Sequence, residues 1–110
     1  MRFLCLFTGV DPGPPSPEHM ERMGAYMDKS KAAGKLIATG GLKKRDADGF
    51  VVHRKGDQYT VTNGGAAWAG ASGWAILEAP SREEAIEDIK TFLGLAGDRV
   101  SEVIEIFQAV

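Results

Sequence analysis

Between Arg2 and Thr8 almost every position is apolar, in the run Phe3-Leu4-Cys5-Leu6-Phe7. Without the alternation of a half-exposed strand, it predicts a central strand covered on both faces. Asp11 to Pro17 holds four prolines and a glycine, so the chain must loop there. Ser16-Pro17-Glu18 then reads as a helix start, with Ser16 as N-cap and Pro17 at the first helical position. Along that helix Met20, Met23, Met27 and Ser30 recur at spacings of three and four, and Gly34 closes it in a left-handed conformation. Methionines on one face are expected to pack as core against a sheet; an adaptable binding surface is the alternative.

Lys35–Thr39 is a short second strand, ended by Gly40-Gly41-Leu42. Phe50–Arg54 and Gln58–Thr62 flank Lys55-Gly56-Asp57, a hairpin signal. From Asn63 to Gly73 small residues surround one large one, Trp68, which predicts a mobile or ligand-facing loop. A strand over Trp74–Glu78 stops at Pro80. Ser81 with Glu84 three residues on forms a capping box, and the helix Ser81–Leu93 turns Ala85, Ile86, Ile89, Phe92 and Leu93 inward. A turn over Gly94–Gly97 leads to a last strand, Val100–Phe107.

The order β-α-β, hairpin, β-α-β matches an α+β, ferredoxin-like sandwich over residues 1–110, a single domain with both helices on one face of a mostly antiparallel sheet and the hairpin as an insert. Both crossovers are expected to be right-handed. Because the first and last strands are apolar on both faces, the second sheet face also needs cover, and a second copy of the chain is the simplest one.

Composition agrees with one soluble globular domain: 110 residues, 44% hydrophobic and 25% charged, with a formal charge of -2. Nothing there suggests nucleic-acid binding; the one basic cluster, Lys43-Lys44-Arg45, is followed at once by Asp46 and Asp48. No window approaches the ~20 apolar residues of a membrane span, and no signal-peptide pattern occurs. The single cysteine, Cys5, excludes an intramolecular disulfide and fits a reducing, cytoplasmic setting.

Taken in order, Arg2–Phe7, Ala33-Gly34-Lys35-Leu36, Gly40-Gly41-Leu42, Gly73-Trp74-Ala75-Ile76, Ser81–Ile86 and Val103–Ile106 resemble the YCII-related superfamily, its DGPF branch in particular. The resemblance runs the whole length of the chain. It implies a dimeric α/β barrel in which two ferredoxin-like sheets pack face to face, with no established activity for most members. Where the branch carries Asp-Gly-Pro-Phe, this chain has Asn63-Gly64-Gly65-Ala66. Asn63 can hydrogen-bond but cannot carry a proton as a carboxylate does, and a turn role suits it better. Some relatives bear a first-helix histidine, paired with an aspartate and suspected of catalysis; that position falls on Met23, with His19 one turn earlier on the same side.

His19 and His53 have no metal-ligand spacing, and no phosphate- or dinucleotide-binding signature occurs, so neither metal nor cofactor is expected. Cys5, inside an apolar strand, reads as a small buried hydrophobe. By analogy with the fold, the candidate site is a pocket between the first helix and the sheet, with Tyr26, His53, Asn63 and Trp68 within reach of its mouth. His53 can act as a base, although its position on an alternating strand also suits a solvated residue. Trp68 caps the pocket or seals the dimer interface. Two readings follow. One is a non-enzymatic homodimer that binds a small molecule or a protein partner; the other is a cofactor-free isomerase or lyase with His53 or His19 as base and Asn63 or Tyr26 orienting the substrate.

Overall fold

The computed structural model describes residues 1–9, 16–43, 48–64, 70–97 and 99–107. Its elements are β1 (Arg2–Gly9), α1 (Pro17–Ala32), β2 (Leu36–Gly41), β3 (Phe50–Lys55), β4 (Gln58–Asn63), β5 (Ala71–Glu78), α2 (Arg82–Ala96) and β6 (Arg99–Glu105). Four strands form one sheet in the order β2-β5-β1-β6, all neighbours antiparallel, and β3-β4 form a separate two-stranded sheet. This is the expected α+β ferredoxin-like arrangement with an inserted hairpin. The loop after β1 and the segment carrying Trp68 lie outside the described residues.

Both helices start where their caps dictate. The Ser16 hydroxyl accepts from the His19 amide at 3.1 Å, with Pro17 at the first helical position; the Ser81 hydroxyl accepts from the Glu84 amide at 3.2 Å. Each satisfies an amide that has no partner within its helix, worth about 1 kcal/mol. Gly34 follows α1 at φ 73°, the left-handed position that glycine occupies without cost.

The core lies between β1 and α2. Cys5, Phe7, Leu36, Ala75 and Ile89 form one buried cluster, with Met27, Leu77, Phe92 and Leu93 packed against it; Phe3, Ala79 and Ala85 form a second. The first helix departs from expectation: none of its residues is buried, and Met20 is exposed. Of the expected stripe, Met23, Met27 and Ser30 do face inward, but they line a cavity, and only Met27 also packs against the core cluster. A second difference is at the small residues. β2 continues through Gly41 and β5 begins at Ala71, so Gly40 pairs with Trp74 and Gly41 with Gly73. A Cβ on Gly40 would fall 2.7 Å from Trp74 Nε1, so only glycine lets the indole lie across β2.

On the face away from the helices, register places Ile76, Leu4 and Ile104 in one row and Trp74, Leu6 and Glu102 in the next. Ile104 is 68% exposed and Val100 is also open. The hairpin is two-faced as well: Phe50, Val52, Tyr59 and Val61 share one side, all exposed, while His53 stands among polar residues on the other. The radius of gyration, 16.2 Å, exceeds the ~13 Å of a compact chain of this length.

Cys5 is fully buried on β1, and burial pushes its thiol from 9.0 up to about 11. The neighbouring Ser101 hydroxyl counters part of that shift, although it has no full hydrogen-bond partner and a thiol is only a weak one.

Gly40→Ala is expected to cost about 1–2 kcal/mol by displacing Trp74. Gly24→Ala, at a helical position where an added Cβ meets nothing within 4 Å, is expected to gain about 0.5–1 kcal/mol; urea unfolding of the two variants reads both signs. The native Cys5 thiol should resist an aromatic disulfide reagent that labels the urea-unfolded chain at once. Because its folded value is raised, the contribution of the thiol is complete below pH 9.0 and is lost as pH climbs towards about 11. The stability difference between wild type and Cys5→Ala should therefore narrow across that window, which unfolding curves at stepped pH would measure.

Candidate functional site

A cavity of about 420 Å³ lies between α1, α2 and the sheet. Its origin is visible in the register. On the helix side of the sheet the cross-strand pairs run from Leu36 beside Leu77, through Thr39 beside Ala75, to Gly41 beside Gly73. Side-chain volume falls away towards the end where β2 finishes and β5 begins, and the bridging helices cannot follow it down. Mostly apolar walls result: Phe7, Met23, Met27, Ile89 and Phe92 with the small residues beneath them. The Phe7 and Phe92 rings meet at 4.9 Å between centroids, tilted by 50°, and Tyr26 approaches Phe92 at 6.2 Å. Such tilted pairs hold their rings in fixed orientations and give the wall a defined shape.

Polar groups sit at the two ends. Where α1 finishes and β2 starts, the Tyr26 hydroxyl donates to the Asp88 carbonyl at 3.2 Å, and Lys35 Nζ stands 3.2 Å from Asp88 Oδ1. Lys35 is largely exposed, so that pair adds only about 0.2–1 kcal/mol, but it matches the carboxylate charge and ties the turn between α1 and β2 to α2. At the opposite end His19 and Ser72 reach the lining, together with Arg99 from the first position of β6. Arg99 Nε donates weakly to the Ala96 carbonyl at 3.4 Å, and its stem lies so close over Gly9 that a Cβ there would be 2.7 Å from Arg99 Cγ. Midway, the Thr39 hydroxyl donates to the Trp74 carbonyl at 2.8 Å.

Of the residues that the sequence marked, His19 and Tyr26 line this cavity, and so does Met23, where the resemblance would place a histidine. His53 and Asn63 do not. They belong to the hairpin, where His53 pairs with Thr60 and Asn63 with Phe50, which puts them on opposite faces of the ribbon. The chain does not bring Tyr26, His53 and Asn63 together at one mouth, because the hairpin forms its own sheet apart from the cavity. Trp68 lies outside the described residues. Sequence reasoning missed Thr39, Lys35, Asp88 and Arg99. Only Asp88 left a signal: it interrupts the Ala85, Ile89, Phe92 stripe with a carboxylate.

Among the described residues no three His, Cys, Asp or Glu side chains converge as a metal site would require. No described helix is long and apolar enough to cross a membrane.

No protein-family model and no curated protein matches this chain. Among solved structures it is similar to 5-chloro-2-hydroxyhydroquinone dehydrochlorinase from Burkholderia phenoliruptrix AC1100, solved in complex with 2,5-dihydroxybenzoquinone. The identity is 18%, over 99% of this chain and 96% of that one, at a TM-score of 0.52. A dimeric ferredoxin-like protein of unknown function from Thermobifida fusca is 16% identical over 96% of this chain and 89% of that one, at a TM-score of 0.41. At this distance the first likeness is one of fold: the whole chain, hairpin included, follows a course that a solved protein also takes.

Proposed function

We propose that this chain is a YCII-related protein of the DGPF type, a cytoplasmic homodimer that binds a small, largely apolar molecule in the cavity between α1 and the sheet. The carrying observation is the cavity itself, about 420 Å³, within the range of small-molecule sites and lined in the usual way by apolar walls with a few polar groups. The dehydrochlorinase's quinone is a ligand of that protein; here it suggests hydroxylated aromatics and quinones as the first compounds to test. Gly73→Leu is the matching control. An added Cβ at Gly73 meets only the Gly40 carbonyl, at 3.5 Å, so a leucine has room to project into the cavity and fill it. One or more of these compounds should raise the melting midpoint of wild type by several degrees, as expected when ligand reaches about 100 times its dissociation constant, and leave Gly73→Leu unmoved. Equal shifts in both proteins, or none in either, would count against the cavity as the ligand site.

A second reading, proton transfer by a histidine, is favoured by one observation: His19 lines the same cavity. His19→Ala should then keep the ligand-dependent rise in melting midpoint and lose turnover. Turnover that survives the substitution would remove His19 as the base.

The dimer rests on the open sheet face. Leu4, Leu6, Trp74 and Ile76 are only partly covered there, and Ile104 is nearly bare. In a two-fold pairing each of these residues would be buried twice over, once per subunit. Ile104→Glu should convert the dimer to a monomer in light scattering after gel filtration, with the cavity side untouched. A wild type that runs as a monomer at micromolar concentration would sink the packed-sheet arrangement.

A further inference from the structure

We infer that the ligand of this cavity is an aromatic or otherwise flat apolar acid, held with its anionic group at the Arg99 end; the inference rests on the cavity being the binding site proposed above. The two ends of the cavity differ in charge. At the Tyr26 end the Lys35 ammonium and the Asp88 carboxylate face each other at 3.2 Å and cancel. At the other end the Arg99 guanidinium has no carboxylate within 4.0 Å among the described residues. One of its N–H groups meets the Ala96 carbonyl, a long contact at 3.4 Å, and the remaining four of the five that a guanidinium carries make no hydrogen bond to the other described residues. Among the described lining residues, therefore, the unmatched charge is positive and belongs to Arg99.

The side chain is also held there. Gly9 and Arg99 are cross-strand partners, and the bare Gly9 backbone accepts the arginine stem at a distance that any larger residue would forbid. A fixed, half-buried guanidinium loses less freedom on engaging a ligand than a solvated one does. Filling the cavity with a wholly apolar molecule would strip water from that cation and return nothing, a cost that selects against neutral occupants. An acid returns a charge-assisted, two-pronged hydrogen bond. The ring or chain behind the acid group then lies between Met23 and Met27 on one wall and Phe7 and Phe92 on the other, soft and aromatic surfaces suited to a flat body.

Two fluorescent probes with the same aromatic frame separate the charge from the cavity: anilinonaphthalene sulfonate, which is anionic, and phenylnaphthylamine, which is neutral. Each is titrated into wild type, Arg99→Gln, Arg99→Lys and Gly73→Leu. The expected result is that wild type prefers the sulfonate, that Arg99→Gln weakens it about tenfold, the loss of one charge-assisted contact, and that Arg99→Lys recovers part of it. Phenylnaphthylamine should bind Arg99→Gln at least as tightly as it binds wild type, since the cost of desolvating the cation is gone, and Gly73→Leu should weaken both probes. If both probes bind, Gly73→Leu weakens them and Arg99→Gln leaves the sulfonate unchanged, the acid preference is overturned and the cavity reading stands. If Gly73→Leu changes neither, or neither binds, the cavity reading fails and the inference falls with it.

Discussion

The fold turns on a gradient of side-chain size across one pair of strands. β2 and β5 meet through Leu36 and Leu77 at one end and through Gly41 and Gly73 at the other. A helix laid over the sheet is a rigid rod whose distance from the strands is set by the largest residues beneath it. Phe7 on β1 and Leu36 and Leu77 at the far end hold the helices off, so they cannot sink onto the glycine rows. Space is left wherever the strands carry no side chain. The two helices then differ in how they pack: α2 buries Ala85 and Ile89, whereas α1 buries no residue and presents its methionines to the gap.

A cavity of this kind costs stability, because its lining gives up the contacts that a filled core would provide. The core that remains is thin. Of the nine buried apolar residues among those described, four are alanines, and Cys5 is the one of them that is wholly inaccessible. A chain of 110 residues has a modest reserve in any case. The apolar rows on the other sheet face and on the hairpin offer the compensating area, since a two-stranded ribbon is at best marginally stable without something to pack on. An open cavity on one side of the sheet and an uncovered apolar surface on the other are therefore linked by one requirement, that the buried area lost at the first be found at the second.

Most of this fold was legible in the sequence. Ser16 with Pro17 and Ser81 with Glu84 mark helix starts through local hydrogen-bond chemistry, and Gly56 and Gly34 mark turns through backbone freedom, so those elements fell where expected. The misreadings share a cause. Gly40, Gly41, Ser72 and Gly73 look like breakers, yet here they extend two strands, because a partner strand and an overlying indole supply what their own side chains lack. The methionine stripe was expected to be core, and periodicity alone cannot tell a filled interface from an empty one; that depends on the residues opposite, on strands distant in sequence. Of the candidate site, His19 and Tyr26 were within reach because they share the inward face of one helix. Arg99 was not, since its place at the cavity lip is set by pairing with Gly9 across the sheet. Nothing in the residues around it announces that contact.

The proposed kinship also gives meaning to what the cavity lacks. Under that kinship, Met23 in the cavity wall would stand at a histidine position, and Asn63 on the hairpin at the aspartate of the motif. Each exchange removes a group able to hold a proton. The first puts a polarizable thioether in the wall instead, which fits irregular apolar shapes and moves no proton; the second leaves an amide that donates and accepts hydrogen bonds without ionising. Only the first of these lies in the cavity, where it favours holding a molecule by its surface over acid–base chemistry; Asn63 sits on the hairpin, apart from it. His19, one turn from Met23, lines the same cavity. With Lys35 matched by Asp88 at the Tyr26 end, the unmatched charge of the lining is that of Arg99, and the apolar walls select for the shape of what lies behind it.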